Sequence, residues 1–361
     1  MTTEWLAGNR IRGTSAERTT TAGIGKEVGG WVEVGRTTLG SSNANLDVSG
    51  LADKRYYMIL SSSVGKTAAG SNGIIRFNND SSGSAGSTGN YSARNSNSGA
   101  TDTTQLNQTG SFFNQTGGNF PAFEVAHLSN LATREKLWIG HEVQQNTAGA
   151  NPPIRNEHVG KWANTSSPVN QINNLADGSD QWLSGSEIVI LGWDDSDTHT
   201  TNFWEELASV ELGSAGDNLS SGTITAKKYL WFQAYIIPTG GSANCNLTFN
   251  NDTDQNYSLR YTEGTNEPTL TGESVISMDV AKKSTPFFIN GFVINNSANE
   301  KLTIIHQMNQ STATAGYAPT RNEIVGKWSN TSAQITEIDI DNPQVGVDYA
   351  IGSMLKVWGS N

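Results

Sequence analysis

The chain has 361 residues, enough for two domains that each bury a core. Charged residues make up only 16% and aromatics 8%, which fits short strands joined by polar turns and excludes a disordered polymer. Acidic residues outnumber basic ones 34 to 23, a net charge of -11, so neither nucleic acid nor an anionic membrane is expected as a partner.

Residues 1–30 open the chain as a polar arm rich in Gly, Thr and Arg, too polar to form a core of its own. It carries Trp5, Leu6 and Ile11 as apolar anchors among Arg10, Arg12, Arg18 and Lys26. Such a segment gains order only by adding to another surface, so the arm reads as an attachment element. Its first ten residues lack the apolar stretch of a secretory signal, and no apolar run anywhere is long enough to cross a bilayer.

From Trp31 onward the chain is a duplication. The segment Trp31 to Ser41 (WVEVGRTTLGS) is answered by Trp204 to Ser214 (WEELASVELGS). Phe77-Asn78-Asn79-Asp80 is answered by Phe249-Asn250-Asn251-Asp252, and Tyr91-Ser92-Ala93-Arg94 by Tyr257-Ser258-Leu259-Arg260. Pro153 to Ser166 and Pro319 to Ser332 share Arg-Asn-Glu-x-Val-Gly-Lys-Trp-x-Asn-Thr-Ser and differ at three positions only. Both halves close on Gly-Ser and a short apolar strand. The boundaries are an arm at 1–30, a first module at 31–193, a polar linker at 194–203 and a second module at 204–361. The first module holds six extra residues between Asp80 and Tyr91, a length change suited to an exposed loop.

Alternation within the segment Trp31 to Arg36 and the apolar runs Tyr229 to Ile237 and Phe287 to Ile294 predict strands, the second of these stopped by Pro238. About eight to ten strands per module, with no helix beyond one turn, define an all-β protein of two tandem jelly-roll-like β-sandwich modules with an extended N-terminal arm.

Chemistry is sparse. The single cysteine, Cys245, excludes an internal disulfide and a cysteine-based zinc site. His141 and His306 recur between the copies, each after an apolar strand segment, and read as strand histidines packed against neighbours. No zinc-hydrolase, serine-hydrolase or phosphate-loop pattern occurs, and no metal or cofactor is expected. The repeated carboxylates Asp80 with Glu157, and Asp252 with Glu323, stand beside Arg94 and Arg155, and Arg260 and Arg321. They read as structural ion pairs with depressed pKa rather than as a glycosidase couple. The Asp/Asn clusters at 194–197 and 250–254 read as turn chemistry rather than calcium loops. Trp162 and Trp328, in a shared Gly-Lys-Trp context, read as core residues rather than sugar-stacking platforms.

Together the repeated blocks resemble a module found in structural proteins of tailed bacteriophages, over about nine-tenths of the chain. The stretch Gly8 to Arg18 is similar to the leader that often precedes it. The resemblance implies a virion protein assembled in the host cytoplasm, with major capsid or tail proteins as partners, and brings no catalytic residues. An acidic, cysteine-poor surface suits a particle exterior. The absence of a rod-like repeat favours a non-enzymatic, homo-oligomeric capsid decoration or head-surface protein held by its arm. The alternative is a tail or fibre component, an adhesin that binds a host-surface glycan or receptor.

Overall fold

The structure is a computed structural model that describes residues 30–68, 72–97, 101–113, 119–194, 202–262, 266–278, 284–310, 315 and 318–361. The attachment residues Trp5, Leu6, Arg10, Ile11, Arg12 and Arg18 lie outside the described residues, as does most of the linker.

All regular structure among the described residues is β. In the first module one sheet has eight strands: β1 (Val32–Thr38), β12 (Glu187–Trp193), β3 (Tyr56–Ser63), β8 (Ala122–Ser129), β9 (Lys136–Gln144), β10 (Ile154–Trp162), β5 (Tyr91–Asn97) and β6 (Thr101–Gln108), in that spatial order. Facing it is a four-stranded sheet of β2 (Asn45–Ser49), β11 (Gln171–Ala176), β4 (Gly73–Phe77) and β7 (Ser111–Phe112). The second module repeats this strand for strand. Its large sheet runs β13 (Glu205–Glu211), β24 (Met354–Ser360), β15 (Tyr229–Ile236), β20 (Phe287–Ile294), β21 (Lys301–Asn309), β22 (Thr320–Trp328), β17 (Tyr257–Tyr261) and β18 (Thr269–Glu273). Its small sheet runs β14 (Asn218–Ser220), β23 (Ile338–Asp341), β16 (Asn246–Phe249) and β19 (Ile276–Ser277). Among the described residues, the twelve strands of each module exceed the number expected, because two-residue ladders such as β7 and β19 leave no periodic trace in a sequence.

Each sandwich encloses its own core, built around Ile59, Phe77, Tyr91 and Trp162 in the first module and around Phe232, Phe249, Tyr257 and Trp328 in the second. A third apolar cluster joins the modules. Leu60, Phe123 and Val143 of the first large sheet meet Tyr229, Ile304 and Val325 of the second. The order of layers is therefore small sheet, large sheet, large sheet, small sheet. This explains why β3 and β12 are buried along nearly their whole length rather than alternately: one face packs on the sandwich core and the other on the neighbouring module. Phe203, assigned to the linker from sequence, is buried in that third cluster.

The repeated Phe-Asn-Asn-Asp block makes a tight turn after β4 and after β16. Both central asparagines adopt positive φ, 54° and 56° at Asn78 and Asn79, 55° and 54° at Asn250 and Asn251. Asparagine tolerates this left-handed region better than other side-chain-bearing residues. The turn delivers Asp80 and Asp252 to the ends of the cores. There Oδ2 accepts the indole N–H of Trp162 in one module and of Trp328 in the other, each at 2.7 Å.

Candidate functional site

Strand alternation places Leu137, Ile139, His141 and Val143 of β9 on the outer face of the first large sheet, and Leu302, Ile304, His306 and Met308 of β21 on the outer face of the second. Register sets the carboxylates beside the histidines: His141 lies opposite Glu157, and His306 opposite Glu323. Where the two faces meet, His306 Nε2 comes within 3.2 Å of His141 Nδ1 and the rings cross edge to face, centroids 4.2 Å apart. Copies of the same position, 165 residues apart, thus touch at the seam.

Arg155 organises the acidic side of this cluster. It is 3% exposed and binds Glu157, Glu267 (Nε to Oε1 at 2.7 Å) and Glu323 (3.4 Å). The expectation of a simple ion pair with a depressed pKa does not hold for Glu157. Burial and the hydrogen bond to Glu323 push Glu157 up to about 8, because two carboxylates this close share one proton. Glu323 stays below its usual range: burial is outweighed by the Glu157 hydrogen bond, Arg321 and Arg155. Burial, aided by the neighbouring His306, holds His141 well below the usual histidine range, and burial also lowers His306. Both shifts favour the neutral imidazole.

The other expected ion pairs are also rearranged. Asp80 and Asp252 do not join Glu157 and Glu323; they hold the tryptophan indoles, at the opposite surface of the large sheets. Burial disfavours the Asp80 carboxylate, but hydrogen bonds from Ser82, Trp162 and Asn90 outweigh it and bring its pKa to about 2. Trp162 and Trp328 are buried in equivalent places, each stacked on a tyrosine (Tyr91, Tyr257) and covered by a lysine ammonium (Lys136, Lys301). In the 250–254 cluster, Asp252 Oδ1 accepts the N–H of Asp254 at 2.9 Å, an Asx turn.

Sequence reasoning missed a second feature, a groove of about 790 Å³ on the outer face of the first module. Trp31, Tyr56, Leu137, Ile139 and Val159 supply its apolar lining, and Arg94 and Lys161 line it too. Leu137, Ile139 and Val159 are 55, 46 and 47% exposed. Their counterparts Leu302, Ile304 and Val325 are 1, 3 and 2% exposed, because the first module covers them. Lys161 reaches Glu135 at the surface, whereas its counterpart Lys327 is buried in the seam against Glu300 and the Gln145 carbonyl. No sequence signal distinguishes the two strips: a two-fold seam would cover both alike, and only the offset stacking of the two sheets leaves one bare.

Neither the known family models nor the curated proteins contain a match to this chain. Among solved structures, the chain is similar to the LG4-5 domains of the mouse laminin alpha1 chain, at 10% identity, a TM-score of 0.19 and 91% coverage of each chain. The outer membrane protein OprG from Pseudomonas aeruginosa gives 7% identity and a TM-score of 0.11 over 86% of this chain and 99% of that one. The chain is an all-β protein of two tandem β-sandwich modules with one topology.

Proposed function

We propose that the chain is a non-enzymatic structural protein of a virus particle, a capsid decoration or head-surface protein that associates with further copies of itself and is held to the particle by residues 1–30. The association between copies in this reading is supported by the bare apolar strip on the first module, and the virion setting by the resemblance of the repeated blocks. The strip already has a fitted partner surface within the chain: its duplicate on the second module packs against Phe123 and Val143. The duplicates of those two residues, Phe288 and Met308, are 42 and 43% exposed on the second module. Each mating surface therefore exists once covered and once bare. A second copy of the chain can repeat the same contact between its second module and this groove, a head-to-tail interface that builds rings or rows.

Sedimentation of the purified chain tests the contact. Self-association that rises with concentration is expected, and Val159→Asp or Phe288→Asp should each abolish it without changing the urea melt. A chain that stays monomeric at its highest soluble concentration overturns it. Gold-labelled antibodies on purified particles test the setting. Label over the head surface is expected, label confined to the tail favours the fibre or adhesin alternative, and particles without label overturn the virion reading.

A further inference from the structure

We propose that His141, Glu157 and His306, with Glu323 beside them, form a transition-metal site that clamps the two modules together, with zinc as the ion of best fit. One ligand atom from each of His141, Glu157 and His306 lies within 4.8 Å of the other two. The His141 Nδ1 to His306 Nε2 separation of 3.2 Å is close to the edge of a tetrahedron whose metal–nitrogen bonds are about 2.0–2.1 Å. Two imidazoles and carboxylate oxygen form a donor set that suits zinc better than calcium or magnesium, which take oxygen. The ligands sit on β9, β10 and β21, three paired or packed strands rather than loops, so a small side-chain movement is all that binding requires.

The surroundings fit as well. The same side chains, with Arg155 and Ile304, line a cavity of about 10 Å³ at the seam, close to the space of one small ion. Arg155, at the wall of the same cavity, binds both Glu157 and Glu323 and orients them, the role that outer partners play around metal carboxylates. The ion would replace the contact between the two imidazoles, while Arg155 holds both carboxylates whether or not it binds. Its ligands come from both modules, which no single module could supply.

The test uses the full chain after dialysis against a chelator. Titration with Zn²⁺ alone, followed by calorimetry and by metal analysis after gel filtration, should show one ion retained per chain and a higher melting temperature. Co²⁺ should give the intense visible absorption of a tetrahedral site. His306→Gln and His141→Gln should each lower affinity by at least about tenfold, as loss of a ligand or its support does. Should either variant fold poorly, the wild-type chain decides alone. No retained zinc, an octahedral Co²⁺ spectrum, or unchanged binding in a folded His306→Gln chain overturns the proposal.

Discussion

The two modules share one topology yet differ in what surrounds equivalent positions, inside the sandwich as well as outside it. Inside, the first module buries Glu124 against His158 at 2.8 Å. A side chain on the neighbouring Gly140 would strike that imidazole, 2.3 Å from Nε2. The second module places Ile289, Ile324 and Ile305 at the same three strand positions, all within its apolar core. Burial favours the neutral form of each partner, holding His158 down to about 4 and Glu124 well above the carboxylate range. Outside, the apolar strip is covered in the second module and bare in the first. What stays the same is the turn, the aspartate and the tryptophan. The duplicated sequence therefore holds two kinds of residue: those that make the sandwich wherever it stands, and those whose role its neighbour decides.

The largest expected effect lies with the first kind. Trp162→Ala and Trp328→Ala should each cost ~3–5 kcal/mol in urea unfolding, since each empties a core position of the same make-up. Unequal losses would break the equivalence of the two cores, and a Trp328→Ala melt that matches wild type would remove the tryptophan from the core altogether. The second kind should split. Arg155 is 3% exposed among three carboxylates and Arg321 is 74% exposed beside one. Arg155→Ala should cost ~3–5 kcal/mol, because it strands buried carboxylates. Arg321→Ala should fall within ~0.5 kcal/mol of wild type, as exposed substitutions do. Equal effects at the two arginines would mean that the seam does not form as described.

The repeated blocks in the sequence contained the duplication, the all-β class and the common setting of Trp162 and Trp328. Strand alternation and the recurrence of whole strings are local signals, and the fold follows them closely. The pairing of particular side chains was less accessible. Asp80 and Glu157 recur together in both copies, yet the turn at Asn78 and Asn79 sends the aspartate to an indole, and β10 carries the glutamate to the seam. Which carboxylate meets which partner depends on turn geometry and sheet face, and co-occurrence specifies neither. The contact of His141 with His306 was implicit in the duplication, but only a face-to-face stack of the large sheets brings the two copies within 3.2 Å. The opposed fates of Val159 and Val325 could not be read from the Val-Gly-Lys-Trp string that the two copies share.

The smallest expected effect concerns what the modules share, and it is read in acid. Burial works against the Asp80 and Asp252 carboxylates, but hydrogen bonds from Trp162, Ser82 and Asn90 in one module and from Trp328, Asn256 and Asp254 in the other more than offset it. The folded pKa is therefore below the unfolded value of about 3.9. A group depressed on folding stabilises the fold fully above its unfolded pKa, and that contribution is lost as pH falls through the folded one, about 2 for Asp80. Melting temperatures of the wild-type chain should accordingly drop between about pH 4 and pH 2. Asp80→Asn and Asp252→Asn should each start lower at neutral pH and lose less on acidification, since an amide oxygen still accepts the indole N–H but does not titrate. Similar flattening in both variants would show that the two locks are one device used twice. A gap between wild type and Asp80→Asn that stays constant down to about pH 2 would place the acid sensitivity elsewhere, because only a titrating carboxylate at this position can make the gap close.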